Sequence, residues 1–330
     1  MRRRKGTRLR SVATITLYAS LTALFLRKLS GSPKPILAFI ADDHIVIEGS
    51  PPDCSSTNTI VTAFYDLGEN SKHTSKEYDA WLKTFLSLSD AMVIFTAQEL
   101  VHRIERARKY SLRTQCTVIV PQSLDEVFTA RAYDWRAQAF RDPEADIHKS
   151  TSLYIVWNQK SYWLAQVASA NPFNSTMFFW ADAGQFRSGL PWSDSREFIQ
   201  AINIPRGRVV HLMVQPFTVD DLKARDDSGA KIFSSLEVRL GGGNFGGDES
   251  AVLEWKRVFY EQLERYIAQQ MFAGKDQPIA STACLQKPGL CHLIHPKNYG
   301  GNVWFSLQSF LHTSLPEPFE TRTLRSNSMA

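Results

Sequence analysis

The stretch TIVTAFYDLG, residues 59–68, begins the pattern that decides the fold. Its β-branched and aromatic run, Ile60–Tyr65, predicts a strand that ends in a loop. Helical and apolar patterns then alternate along the chain, and this order is the mark of parallel crossover units in an α/β fold. The next predicted elements are helix Ser75–Ser89, strand Ala91–Phe95, helix Glu99–Tyr110 and strand Thr117–Val120.

The rest of the chain continues the alternation. One domain is predicted over 58–314, with a stem or linker over 27–57 and a loose tail over 315–330. Within the stem, Ile36–Ile47 has the composition of a strand. The later predicted elements are helix Leu153–Val167, strands Met177–Trp180, Val209–Val214 and Ile232–Leu240, and helix Ala251–Phe272.

The net charge is distributed unevenly. The whole chain has a net charge of +5, and residues 1–28 hold eight basic residues and no acidic one, so residues 29–330 carry −3. A nucleic-acid-binding domain needs its basic residues on the folded surface, where they displace counterions. The sequence therefore predicts that nucleic acid is not a partner.

Residues 11–26 are free of charge and follow a basic tail over 1–10. A transmembrane anchor, a cleaved signal peptide and a buried helix are the three interpretations of this run, and the basic tail favours the anchor. A helix of this length reaches about 24 Å, which suits a thin membrane. The favoured interpretation is a single-pass membrane protein of the Golgi or endoplasmic reticulum, with a cytosolic N-terminus and a luminal domain.

Four cysteines are present. Cys284 and Cys291 flank a turn-forming Lys-Pro-Gly sequence, so they form either a disulfide or two unpaired buried thiols. Their spacing does not predict zinc, because neither a CxxC pair nor a second pair of ligands accompanies them.

The stretch FFWADAG, residues 178–184, predicts an apolar strand that ends in a carboxylate and a glycine. In open α/β sheets, ligands bind at the edge formed by the carboxyl ends of the strands. Asp182 is therefore a candidate ligand for Mg²⁺ or Mn²⁺, and Gly184 allows a ligand to approach the backbone. The alternative is an aspartate that only caps the turn.

The glycine run GGGNFGG, residues 241–247, precedes the long predicted helix. A glycine turn that admits an anion or a sugar at the helix N-terminus is the favoured interpretation. A purely structural turn is the second. A dinucleotide-binding turn is the third, but no acidic strand residue follows at the required spacing.

Two polar segments lie further along the chain. Asp276 and Gln277 offer groups that can hold sugar hydroxyls, and the same segment also fits a helix C-cap. In the segment CHLIHPK, residues 291–297, His295 is a candidate metal ligand and Lys297 a candidate phosphate partner. The alternative is an ordinary surface or core histidine.

Five segments together resemble the bacterial HtrL/YibB family. The similarity extends from about Thr59 to His312. The segments are TIVTAFYD (59–66), YIVWNQKS (154–161), NPF (171–173), WADAGQFR (180–187) and GKDQ (274–277).

That family is similar to glycosyltransferases of the A-type fold, which have one nucleotide-sugar-binding α/β domain. The resemblance implies a mostly parallel central sheet and catalytic roles for Asp182 and Asp276. It also implies a metal held by Asp182 and His295. The residues implied to contact the donor or acceptor are Phe64, Asp66, Trp157, Asn158, Lys160, Gly184, Gly246, Gly247, Gln277 and Lys297.

The expected function is a membrane-anchored glycosyltransferase that moves a sugar from a nucleotide-sugar to a glycan or protein acceptor, with Mn²⁺ or Mg²⁺ as the metal. The A-type family has Asp-x-Asp where this chain has Asp182-Ala183-Gly184, so the metal has a reduced set of ligands. A non-catalytic protein that binds a nucleotide or sugar is therefore the alternative. A dinucleotide oxidoreductase is a third hypothesis, based on the glycine run.

Overall fold

The structure of the chain is a computed structural model. All the residues it describes belong to a unit spanning 35–330, and a first unit, 1–34, lies outside them. The described residues are 36–41, 43–47, 54–67, 74–148, 150–187, 189–190, 197–200, 204–223, 225–226, 229–297, 300–313, 319–322 and 324.

Twelve strands are found in the described residues. Ten of them form one sheet in the order β12-β11-β7-β10-β6-β3-β4-β5-β1-β2, and β8 and β9 form a separate pair. The strands are β1 Ile36–Ala41, β2 His44–Ile47, β3 Asn58–Phe64, β4 Ala91–Thr96, β5 Thr117–Pro121, β6 Met177–Ala181, β7 Val209–Met213, β8 Arg225–Asp226, β9 Gly229–Ala230, β10 Leu240–Gly247, β11 Cys291–Pro296 and β12 Phe319–Arg322.

The centre of the large sheet is parallel. β3 pairs in parallel with β4 and β6, β5 pairs in parallel with β4 and β1, and β7 pairs in parallel with β11. β10 runs antiparallel between β6 and β7, and β2 and β12 are antiparallel strands at the two edges. β6 and β7 therefore point the same way, and the carboxyl ends of β3, β6, β7 and β11 lie along one edge.

Nine α-helices are found in the same residues, and three short 3₁₀ turns accompany them at 98–100, 288–290 and 303–305. The first helix is capped by Thr74, whose hydroxyl accepts from the Glu77 amide in a capping box. The helices are α1 Ser75–Leu86, α2 Val101–Arg108, α3 Phe128–Ala132, α4 Trp135–Ala139, α5 Thr151–Ala170, α6 Val219–Lys223, α7 Glu249–Ala268, α8 Asp276–Gln286 and α9 Ser306–Thr313.

The helices cover both faces of the sheet. Successive strand residues point to opposite faces, so Val61 packs in the core beneath α5 and α7, whereas Ile60 packs with α1, α2 and α9. Both faces are therefore apolar, which explains why the parallel strands are continuous hydrophobic runs. The result is a three-layer architecture, and its α/β class is the one that the alternating pattern predicts.

The prediction of a transmembrane helix must be corrected. Within the described residues, no helix has both the length and the apolar character needed to cross a membrane, and the run over 11–26 lies outside them. The two 20-residue helices α5 and α7 contain polar or charged side chains, and the run itself has only sixteen residues where about twenty are needed. This finding overturns the predicted fold with a transmembrane helix and the predicted single-pass location in the Golgi or endoplasmic reticulum.

Other segments also differ from expectation. β1 and β2, which fall in the predicted stem, and β12, which falls in the predicted tail, belong to the large sheet. The strand expected over Ile232–Leu240 instead covers Leu240–Gly247, because the glycines form ladders with β6 and β7 on both sides.

The four cysteines form two disulfides. Cys284–Cys291 joins α8 to β11, which selects the first of the two alternatives drawn from the sequence. Cys54–Cys116 was not predicted, and it joins the segment before β3 to the start of β5. Its partners are 62 residues apart, so only the fold brings them together.

Candidate active site

A buried lysine lies at the centre of the candidate site. The Nζ atom of Lys160, in the middle of α5, lies 3.1 Å from Asp182 Oδ1 and 3.1 Å from Asp276 Oδ2. It also donates to the Gly242 carbonyl at 3.0 Å. Burial opposes the ammonium charge, but the two carboxylates outweigh it and raise the pKa of Lys160. One cation therefore bridges two carboxylates and stays charged.

Asp182 is the accessible member of the cluster. It follows β6 directly, its amide donates to the Gly243 carbonyl at 2.9 Å, and the Trp180 indole donates to its Oδ1 at 2.7 Å. These contacts fix the side chain at the carboxyl edge of the sheet. Its side chain nevertheless remains 42 % exposed. Asp182 is thus held in place and open to a ligand.

Asp276 lies behind it in a different environment. It is the first residue of α8, and its side chain is only 10 % exposed. Burial raises the pKa of Asp276, while Lys160 lowers it and the charge of Asp182 raises it further. The two carboxyl groups thus differ in exposure, and such unequal environments suit an acid–base pair.

A small cavity adjoins the cluster. Its volume is about 10 Å³, roughly the room that one water molecule needs. Among the residues that line it are Trp157, Lys160, Ser161, His211 and Asp276. Lys160 and Asp276 therefore border this internal cavity on one side and lie next to the exposed Asp182 on the other.

The glycine run is part of the sheet and contributes one wall of the site. A Cβ atom at Gly242 would lie 2.7 Å from Asp276 Oδ2, and one at Gly243 would lie 3.0 Å from Gln185 Oε1. The absence of side chains there makes room for the carboxylate cluster. β10 thus brings its backbone up to both aspartates.

Gly246 and Gly247, at the other end of the run, are glycines because the neighbouring backbone leaves no room for a side chain. Cβ atoms at Gly246 and Gly247 would collide with the carbonyl oxygens of Phe178 and Arg208. The helix that follows is capped by its own Asp248, whose carboxylate accepts from the Ala251 amide. The glycine run is therefore a strand and not the predicted turn at a helix N-terminus, which also removes the basis for a dinucleotide turn. Contact of a sugar with Gly246 and Gly247 stays a prediction.

Comparison with known proteins adds a family. A family model described as "Bacterial protein of unknown function (HtrL_YibB)" matches residues 56–309, and no curated protein matches the chain. The chain belongs to the HtrL/YibB family. The predicted membership is confirmed, and the matched residues include the whole lysine–carboxylate cluster. The family description names no activity, so any function of this HtrL/YibB protein must be argued from its site.

The helix α5 supplies two more of the predicted residues. Trp157 lines the cavity beside Lys160. Asn158 is buried, and its amide donates to the Gly274 carbonyl at 2.9 Å and to the Ala273 carbonyl at 3.3 Å. Since these carbonyls directly precede α8, Asn158 positions Asp276. Gln277, the next residue of α8, is half-buried.

The residues after β3 lie on a neighbouring part of the same edge. Phe64 is buried under the Arg103 guanidinium, 4.9 Å from its ring centre, and Asp66 lies 3.5 Å from that guanidinium. β3 pairs directly with β6, so this pair borders the site one strand away from Asp182. Gly184, two residues after Asp182, packs near Arg187 and Trp81.

His295 does not join the cluster. It lies on β11, which is separated from β6 by β7 and β10, and three strand spacings correspond to about 14 Å. Its Nδ1 atom bonds with the Met213 carbonyl at 2.9 Å, and the exposed Lys297 follows on the same side. A metal ligand must lie within about 2.6 Å of the ion, so His295 and Asp182 cannot share one.

The other predicted metal ligand, Asp182, does not fit a divalent cation either. The space between the two carboxylates is taken by the Lys160 ammonium. Asp182 offers one exposed carboxylate, and Mg²⁺ or Mn²⁺ requires a larger set of oxygen ligands. The lysine–carboxylate cluster therefore does not form a site for a divalent metal.

The sequence contained an unused signal for the central residue. Lys160 is the only charged side chain in the 20 residues of α5. A single charge in a helix buried on most sides needs a partner, and this pointed to a buried ion pair. His211, which also lines the cavity, was missed because a lone histidine in an apolar strand has no distinguishing neighbours in sequence.

Proposed function

We propose that this HtrL/YibB protein transfers a sugar from a nucleotide-sugar donor to a glycan or protein acceptor at the cluster formed by Lys160, Asp182 and Asp276. The observation that carries the proposal is one buried ammonium bridging two carboxylates of unequal exposure. The cluster also lies at the carboxyl edge of a parallel sheet, where α/β folds bind their ligands.

The charges suggest what binds there. With all three groups ionised the cluster has a net charge of −1, which suits neutral sugar hydroxyls and disfavours a diphosphate. The exposed Asp182 accepts hydrogen bonds from those hydroxyls, and the half-buried Trp157 provides an apolar ring beside Lys160. The donor diphosphate is expected further along the edge.

The reaction then needs a base. Asp276 accepts the proton of the acceptor hydroxyl, whose oxygen forms the bond to the anomeric carbon. The bond from that carbon to the donor phosphate breaks, and the nucleoside diphosphate leaves with the electron pair. A raised pKa makes Asp276 a stronger base than an ordinary carboxylate. Lys160 holds both carboxylates in position, and its charge opposes the rise in the pKa of Asp276.

The alternative is a protein that binds a nucleotide or a sugar without turnover. The observation that favours it is that Lys160 already neutralises one of the two carboxylate charges. Such a protein needs the same contacts and no proton transfer. The two functions therefore predict the same ligand and differ only in product.

A panel of nucleotide-sugars tested against the full chain decides between them. Transfer predicts release of nucleoside diphosphate, and Asp182→Asn lowers that release at least about 100-fold while the melting temperature stays near that of the wild type. Asp220→Asn, at an exposed position of α6, is the control and keeps full activity. A donor that stabilises the protein and yields no product favours the binding function. If no donor stabilises it or reacts, both are rejected.

A further inference from the structure

A second group of potential ligands lies away from the carboxylates. His211 of β7, Cys284 of α8 and Cys291 of β11 are all buried, and one ligand atom from each lies within 4.8 Å of the others. Three different elements deliver these side chains. The site arises from tertiary structure alone, since no sequence motif joins its members.

No hydrogen bond among the described residues explains why the polar ring of His211 is buried. Neither ring nitrogen of His211 has a hydrogen-bond partner among the described residues, although the residue is 1 % exposed. Its ring stacks on Phe245 and packs against Trp255, with centroids 5.4 and 4.4 Å away. A buried polar group without a partner costs free energy. Aromatic packing does not repay that cost, whereas a bond from a nitrogen to a ligand does.

The two sulfur atoms can hold a metal ion beside His211 only after the bond between them is broken. In the structure they form the Cys284–Cys291 disulfide. A tetrahedral ion with bonds of about 2.0–2.3 Å holds its ligand atoms roughly 3.5–3.8 Å apart. Since the three atoms already lie within 4.8 Å, shifts of about 1–2 Å bring them to a common ion.

We propose that this protein, with the Cys284–Cys291 disulfide reduced, binds one zinc-class divalent ion through His211 and the two thiolates. A dithiol reductant supplies two electrons and two protons to the disulfide and becomes a disulfide itself. The ion then binds as both thiols lose their protons, so two protons are released for each ion. The small cavity that His211 lines has room for a water molecule as the fourth ligand.

Two thiolates and an imidazole select the metal class. Sulfur ligands favour zinc and similar ions over Mg²⁺ or Mn²⁺, which prefer oxygen. The site is therefore chemically distinct from the carboxylate cluster, although both border the same cavity. The proposal does not depend on sugar transfer.

The test titrates Co²⁺, a spectroscopic substitute for zinc, into the full chain. The chain is first reduced with a dithiol and freed of reductant without air. We expect a thiolate-to-cobalt charge-transfer band that saturates at one ion per chain, with release of two protons. The oxidised chain gives no band. His211→Phe keeps the aromatic packing and weakens binding at least about tenfold, whereas the control His295→Phe, on β11 outside the cluster, binds like the wild type.

Three results would overturn the proposal. The first is equal Co²⁺ affinity in His211→Phe and the wild type, because the imidazole would then not be a ligand. The second is an equal band in the oxidised chain. The third is a reduced chain that stays unfolded by circular dichroism with excess Zn²⁺, because the folded site would then not exist without the disulfide.

Discussion

Two buried cations in this molecule have opposite surroundings. Arg108, in α2, donates to the Thr117 hydroxyl at 2.7 Å and to the carbonyls of Leu86 and Asp90 at 3.1 and 2.6 Å. The Asp90 carboxylate nearby accepts from the amides of Phe198 and Ile199. Both charged residues are 0 % exposed. All these groups are occupied by the protein, so the cluster stabilises the fold and offers nothing to a ligand.

Lys160 is equally buried but its partners are not. Asp182 remains 42 % exposed, and a cavity borders the lysine on its inner side. Burial dominates the closed cluster, where it lowers the pKa of Arg108 to about 9 and raises that of Asp90 to about 6. In the open cluster the carboxylates win and raise the pKa of Lys160. A buried charge thus indicates a functional site only when one of its partners is reachable.

Removing the closed cation is expected to have the largest effect on stability. Arg108→Met removes the positive charge beside the Asp90 carboxylate and leaves the carbonyls of Leu86 and Asp90 without their donor, so the free energy of unfolding falls by about 3–5 kcal/mol in urea titrations. Arg106→Met, at an exposed position of the same helix, is the matched control and changes it by less than about 0.5 kcal/mol. A loss for Arg108→Met as small as the control's would mean that the cluster is not structural.

Removing the open cation should change what binds. Lys160→Met leaves two carboxylates facing each other, and a divalent ion then has the place that the ammonium held. We expect Mn²⁺ at 100 times its Kd to stabilise this variant by about 2.7 kcal/mol in thermal unfolding, and to have little effect on the wild type. Lys223→Met, which is exposed on α6, is the control. Equal stabilisation of the wild type would show that a metal site exists alongside Lys160.

The sequence predicts some strands of the sheet accurately and fails to predict others. β3, β4, β5 and β6 were predicted within one or two residues because strands buried on both faces are continuous apolar runs. β10 was not, because its glycines have no side chains to form a pattern, and only neighbouring strands identify it. The α/β class could therefore be predicted from the sequence, whereas the antiparallel strand β10 at the site could not.

The site likewise contains residues that local sequence patterns identify and residues that they do not. Asp182 and Asp276 were identified from their positions next to a strand and a helix, and the fold does bring them together. His295 was assigned to the same metal, but the order of strands separates it, and strand order cannot be derived from local patterns. Cys54–Cys116 and the cluster around His211 depend on the same long-range topology.

A smaller effect is expected where the open cluster touches β10. Gly242→Ala places a methyl group against the Asp276 carboxylate without striking backbone, so the fold tolerates it and the carboxylate shifts. A shift of about 1 Å at a reacting group lowers turnover by up to about 100-fold. The measurement is kcat/KM with the donor identified by the panel. Gly289→Ala has open space around it and serves as the control. Unchanged kcat/KM would place the reaction away from Asp276.

The smallest effect concerns the titration of Asp276, and its direction tests the electrostatics of the open cluster. Burial raises the folded-state pKa above the ordinary value, so the folded protein keeps this proton at pH values where the unfolded chain has lost it. Asp276 therefore weakens the fold as pH rises through that window. Turnover that needs the ionised base declines as pH falls through the same raised pKa.

The two neighbours of Asp276 should move this titration in opposite directions. Because the Lys160 charge lowers the pKa of Asp276 and the Asp182 charge raises it, Lys160→Met moves the titration to higher pH and Asp182→Asn moves it to lower pH. The carboxyl carbon of Asp276, followed by NMR in carbon-13 aspartate-labelled protein, reports this without an assay. Shifts in the same direction for both variants would mean that a change of structure, and not the charge of each neighbour, controls the carboxyl group.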